Sequence, residues 1–244
     1  MLKLLIVETI KLRRSLALAL CFAAPACVAF ICLLFLVSKH GPSPWHGLFG
    51  EGLALWAYFM LPMSVTALTV LIAQIEHGPR MWNHVLALPI PRWRVFAAKA
   101  LVAVGMAALM SIAFWAMLIG TGLAWSAAMP ARALTGDAPV AALAQGMAYV
   151  FLSSFALVAV QLWAALRFRS FVPPLTIGIM GTFGALAVTA SKQFYVFPWL
   201  LGAYAMQIVT PQAQEALTWG FFGGLALFAA MCVDLPAREK LVMG

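Results

Sequence analysis

The stretch SLALALCFAAPACVAFICLLFLV, residues 15–37, contains no Asp, Glu, Lys, Arg or His. As a helix rising about 1.5 Å per residue it is long enough to cross a hydrocarbon core about 30 Å thick. Five further apolar stretches follow at 53–75, 96–125, 140–166, 171–191 and 216–233, and none carries a charged residue at its centre. Hydrophobic residues make up 65% of the chain and charged residues 9%, with a mean hydropathy of +1.00. Soluble domains do not have this composition. The expected fold is an all-α membrane protein with six transmembrane helices, forming a single membrane domain over residues 1–244 with little chain left for a soluble part.

The net charge of +8 is spread unevenly along the sequence. Lys3, Lys11, Arg13 and Arg14 precede the first stretch, and Arg80, Arg92, Arg94 and Lys99 lie between the second and third. Arg167 and Arg169 separate the fourth and fifth, and Arg238 and Lys240 follow the sixth. The alternate loops hold only Lys39, Arg132 and Lys192. This is the positive-inside pattern, which places both termini in the cytoplasm and makes the excess charge a topology signal rather than a nucleic-acid site. The apolar run through Ala24-Pro25-Ala26-Cys27 continues to Val37, too long for a cleaved signal peptide. Cys21, Cys27, Cys32 and Cys232 all fall inside expected spans without metal-ligand spacing, so they read as small buried hydrophobes.

Residues 1–14 are too charged to span and read as an interfacial helix. Lys3, Lys11 and Arg14 lie on one side of it, and Leu2, Leu5, Ile6 and Leu12 broadly opposite. Pro62 is expected to kink the second span by removing the bond to the Tyr58 carbonyl, with Ser64 and Thr66 near the freed group. Gly178, Gly181, Thr182 and Ala185 form one small-residue face, and Gly220 and Gly224 another. Both mark close helix contacts, within the chain or at a dimer seam. The aromatic segment 194–204, broken by Pro198 and Gly202, predicts one or two short helices in the outer leaflet before the sixth span. The loop at 38–52, with Trp45 and Phe49, is a candidate outer-face partner for it.

No P-loop, HExxH or GxSxG motif is present. Glu76, His77 and His84 form the one acid–histidine group, with no evident third ligand. Mid-span polar groups are limited to Gln145, Gln161 and hydroxyls, a poor set for proton or ion coupling. Energy for uphill transport would therefore enter from another subunit. The entry point is the segment 76–92 between spans two and three. Pro79 starts a short helix there, Trp82, Val85, Leu86 and Pro89 make its apolar stripe, and Pro89 and Pro91 end it. Such a helix can dock in a partner's groove or lie on lipid.

Glu8-x-x-Lys11-x-Arg13-Arg14-Ser15 resembles the opening of permease subunits of type-2 ATP-binding-cassette exporters. Glu76 through Trp82, Leu86, Leu88-Pro89-Ile90, Arg92 and Lys99 resembles a pattern of the branch that includes lantibiotic-immunity and bacitracin-type permeases. That resemblance implies a permease domain with no cofactor of its own. Two membrane subunits, identical or paralogous, would work with two cytoplasmic ATPase subunits that bind ATP and magnesium, in a bacterial plasma membrane. Glu8, Lys11, Arg13 and Arg14 would belong to an elbow helix. Glu76, His77, Arg80, Trp82, Asn83, Leu86 and Arg92 would form the ATPase-coupling interface. Met60, Pro62, Met63, Met180 and Phe183 would line the path of an amphipathic peptide or lipid-like cargo. Two other classes remain at this point: a membrane enzyme using Glu76, His77 and His84, and a non-transporting scaffold.

Overall fold

In the computed structural model, residues 1–13, 15–77, 91–189, 196–207 and 210–243 are described, the side chains of 238–243 excepted. The described residues are 85% helical, with no β-strand among them. Helix α1 (Leu2–Leu12) leads into α2 (Leu16–Ser38). Ser15 caps α2 by accepting a bond from the Ala17 amide while its own hydroxyl donates to the Leu12 carbonyl. Helices α3 (Trp45–Leu55) and α4 (Leu61–His77) follow, then α5 (Arg92–Ala128), α6 (Val140–Ser153) and α7 (Phe155–Arg167). The chain continues with α8 (Val172–Val188), α9 (Leu201–Ala205), α10 (Pro211–Thr218) and α11 (Gly224–Met243).

Among the described residues, five continuous helical segments are long and apolar enough to cross a membrane: Leu16–Ser38, Trp45–His77, Arg92–Ala128, Val140–Arg167 and Pro211–Ala237. The fifth apolar stretch of the sequence forms the shorter Val172–Val188, of 17 residues. The molecule's outside is that of a lipid-solvated protein. Phe30, Leu34, Ile112, Phe222 and Val233 are exposed, while Thr66, Thr69, Gln161 and Thr182 are buried. Cys27 is also exposed, contrary to the expectation of four buried thiols, because it lies on the outer side of α2.

Helix α4 stands at the centre, against α2, α5, α7 and α8. Just before Pro62, where a kink is expected, the turn Trp56–Met60 is widened, and the Leu61 amide bonds the Trp56 carbonyl five residues back. A turn with this spacing absorbs the bond that proline cannot make. The Thr66 hydroxyl bonds the Pro62 carbonyl rather than that of Tyr58. The expected 38–52 loop is largely helical from Trp45 and continuous with α4. Trp45 fits over Gly122 of α5, where any side chain would collide with its ring, and Trp56 stacks on Phe114 at 4.6 Å.

Both small-residue faces pack within the chain. Gly178 lies against Gln161 and Thr66, and Gly181 against the Trp199 ring, so the aromatic segment leans on α8 just before the five-residue α9. The sixth span, expected from 216, begins earlier: residues 211–218 are helical and run on through a widened turn at Trp219–Gly223 into the last helix. Gly220 and Gly224 meet the backbone at Ser153 to Ala156, where α6 breaks into α7. The Ser153 and Ser154 hydroxyls donate to the Val150 and Phe151 carbonyls, which bends the chain at that point.

Gly224→Ala should therefore destabilise by about 1–3 kcal/mol, since its methyl would meet backbone that cannot move aside. Gly223→Ala, whose methyl would meet open space, should be neutral or stabilising by up to about 1 kcal/mol. Thermal unfolding of the purified protein compares the two.

Candidate functional site: a buried charge cluster

Four charged residues from three helices converge at the end of the bundle where the basic segments gather. Glu8 and Lys11 come from α1, Glu76 from the last turn of α4, and Lys99 from the second turn of α5. Lys99 Nζ donates to Glu8 Oε2 at 2.9 Å and lies 2.7 Å from Glu76 Oε1. Lys11 Nζ closes the ring, 2.8 Å from Glu8 Oε1 and 3.1 Å from Glu76 Oε1. Glu76 and Lys99 are 0% exposed.

Position explains why these charges need one another. A carboxylate at a helix C-terminus meets the negative end of the helix dipole, and Glu76 is the penultimate residue of α4. Burial removes water as a partner as well, so two ammonium groups must supply the compensation. Glu76 Oε2 remains without a hydrogen-bond partner. Burial alone would raise the Glu8 carboxyl pKa, but Lys99 and Lys11 outweigh it and hold it below the ordinary 4.5. Burial would likewise depress Lys11, and its bonds to Glu8 and Glu76 raise it above 10.5 instead.

Helix α1 therefore turns its charged side toward the protein. Glu8 and Leu12 are buried, whereas Leu2, Ile6, Val7 and Ile10 are exposed. An apolar outer face suits a helix lying in the membrane interface. Leu12 packs inward beside Glu8, so the division of faces is not simply charged against apolar.

The same end is cross-tied on its other side. Gln74 Nε2 donates to the Arg169 carbonyl at 3.3 Å, and His77 Nε2 lies 3.3 Å from the Ala165 carbonyl, fastening α4 to α7. Trp163 Nε1 donates to Asp234 Oδ2 at 3.0 Å, fastening α7 to α11. Arg92 opens α5 with its Nη1 buried and unpartnered, and Arg94 sits 5.6 Å over the Trp93 ring. Glu76 and Lys99, from the helices that precede and follow residues 78–90, are thus joined directly.

Of the residues singled out in the sequence, Arg14, Arg80, Trp82, Asn83, His84 and Leu86 lie outside the described residues. Arg13 is exposed at the end of α1. Pro62 is buried, Met60 and Met63 are half-buried, and Met180 and Phe183 are 69% and 55% exposed on the outer side of α8. Phe183 meets Phe59 edge-on at 6.2 Å. Glu76 is committed to two lysines and His77 to a backbone carbonyl, an arrangement that does not favour acid–base or metal chemistry there. Lys99 counts as a loop charge in the topology reading, yet like Glu76 it is fully enclosed. Its presence in the same motif block as Glu76 is the signal that could have joined them.

Residues 4–185, well over half of the chain, match the model for the ABC-2 family transporter protein. The chain belongs to that family. The match takes in all four charged residues of the cluster. ABC-2 proteins are the membrane components of ATP-binding-cassette transporters and work with an ABC ATPase. No curated protein and no solved structure matches the chain. In this ABC-2 chain the cluster is the main polar junction between α1 and the rest of the bundle.

Removing one member leaves a buried charge uncompensated, so Lys99→Met should cost about 3–5 kcal/mol. Lys99→Met combined with Glu76→Met, which leaves the Glu8–Lys11 pair balanced, should recover part of that loss in a double-mutant cycle. The lowered Glu8 pKa contributes stability above pH 4.5 that is lost as pH falls through its folded value; the raised Lys11 pKa contributes stability below 10.5 that is lost as pH rises through its folded value. The docking of α1, followed by proteolysis of the N-terminal segment, should therefore be independent of pH between those limits and weaken outside them.

Proposed function

We propose that this ABC-2 protein is the membrane subunit of an ATP-driven exporter in a bacterial plasma membrane, with Glu8, Lys11, Glu76 and Lys99 acting as the latch that couples ATPase movement to the spans. The carrying observation is that the cluster binds the interfacial helix to both roots of the 78–91 segment. A push on that segment then tilts α4 and α5 together and carries α1 with them. In this reading Arg80, Trp82, Asn83, Leu86 and Arg92 face the ATPase, which supplies ATP and magnesium. The basic end of the bundle lies in the cytoplasm, in agreement with its charge.

The sixth crossing is α8. It starts at the basic end, beside the α4–α7 ties, and near its middle Gly181 receives Trp199 from the aromatic segment. Met63, Met180 and Phe183 then stand on an outward face of α4 and α8. A path there needs a second membrane subunit, a copy or a paralogue, to close it. A soft, methionine-containing face suits an amphipathic peptide of the lantibiotic or bacitracin type, or a lipid-like cargo.

The double variant Trp82→Ala, Glu76→Ala should lose transport while the complex still hydrolyses ATP. Reconstitution with the ATPase, measuring cargo movement and phosphate release together, tests this. Full transport by the double variant would sink the coupling reading. Trp82→Ala alone, outside the buried cluster, carries the test if the pair does not fold.

A further inference from the structure

Helices α5 and α11 pack beside each other but leave an apolar groove of about 520 Å³ between them, with Phe155 of α7 also in its lining. Alanine makes the room: Ala97 and Ala100 of α5 and Ala229 of α11 stand where larger side chains would close the gap. Trp93, Leu101, Leu225 and Val233, also in the lining, are exposed, so the groove opens on the outside of the bundle. Among the described residues no charged side chain lines it.

Trp93 is the second residue of α5 and marks the end of the groove nearest the basic segments. The Arg94 guanidinium lies 5.6 Å from the centre of its ring, which puts a cation at the groove's mouth. Lys11, Lys39, Lys99 and Arg167 each have a carboxylate partner, and the exposed Arg94 has none among the described residues. The carboxylate next to Val233, Asp234, is already engaged by Trp163 and Arg167. From Trp93 to Val104 the groove runs about 16 Å along α5 at about 1.5 Å per residue. That is half of a hydrocarbon core about 30 Å thick, the depth of one leaflet. Tryptophan at one end sets that end at the membrane interface.

We infer that the groove binds an anionic phospholipid of the bilayer, with its phosphate at Arg94 and one acyl chain along Ala97, Ala100 and Ala229. A guanidinium offers two parallel N–H donors to phosphate oxygens, and basic sites between spans suit such headgroups. A zwitterionic lipid presents the same phosphate with its charge cancelled. At about 100° per residue, Lys99 falls on the opposite side of α5 from Ala97 and Leu101. The site is therefore separate from the charge cluster and does not rest on the coupling mechanism.

The test places the full chain in phosphatidylcholine nanodiscs with a trace of phosphatidylglycerol or phosphatidylcholine that carries a diazirine in one acyl chain, and maps the adducts after illumination. Adducts should fall on residues 93–104 and 225–233. Their yield should be about fivefold higher with the phosphatidylglycerol probe, which is about 1 kcal/mol. Arg94→Gln should bring the two probes level, and Ala229→Leu, which fills the groove, should also remove the preference. Arg169→Gln, which removes another exposed cation at the same end, should leave it unchanged. All three positions are exposed, so the variants should fold. Equal labelling of the wild type by the two probes, as ordinary boundary lipid would give, overturns the proposal. So does a preference that survives Arg94→Gln or Ala229→Leu, or one that Arg169→Gln removes as well. An absence of adducts in the groove, as a second copy of the chain seated there would give, overturns it too.

Discussion

Lys99 is a full positive charge inside a protein whose surroundings are hydrocarbon, and it stays there because two carboxylates from different helices meet it. Each partner is in turn dependent on it. Glu76 sits at the unfavourable end of its own helix dipole, and Glu8 belongs to a short helix whose outer face is apolar. The energy of such a cluster lies less in net attraction than in what separation would expose. Pulling α1, α4 and α5 apart leaves charges with neither water nor a counter-ion. Ion pairs that join three helices at the basic end are what the proposed mechanical link would require.

The rest of the bundle is built around close approach. Lipid offers little hydrophobic incentive for apolar helices to associate, so packing detail decides their arrangement. Gly122 admits Trp45, Gly178 admits Gln161 and Thr66, and Gly220 and Gly224 admit the bent backbone at Ser153 to Ala156. Widened turns at Trp56–Met60 and Trp219–Gly223 adjust two long helices without breaking them. The polar groups at mid-depth, Gln161 donating to Thr66 at 2.6 Å above all, are enclosed by these glycine contacts and not presented to lipid. A stiff basic end and a closely packed middle leave the outward face of α4 and α8 as the least constrained surface near the centre.

The membrane class, the long spans and the gathering of basic residues at one end were legible in the residues themselves. Hydrocarbon thickness and the cost of a buried charge act on composition and spacing alone. The glycine faces were legible as contacts for the same reason, since nothing but a close neighbour explains them. Less was readable where two physical rules compete. Pro62 announced an irregular turn but not its form, a widened turn at Trp56–Met60, and the expected loop before it is helical from Trp45, whose ring has a niche at Gly122 of α5. The sixth span was expected from 216 but starts at Pro211, because proline suits the first helical position.

The charge cluster marks the boundary most clearly. Sequence alone put Glu8 and Lys11 on an interfacial helix, Glu76 at the start of the segment between the second and third spans, and Lys99 among the basic residues that end it. Only the tertiary structure decided that all four are one object, because their mutual distances depend on how α1, α4 and α5 pack across separations of up to 91 residues. Periodicity reports which face of one helix is apolar. Which charges meet when three helices close on one another is a property of the packing, and no single segment contains it.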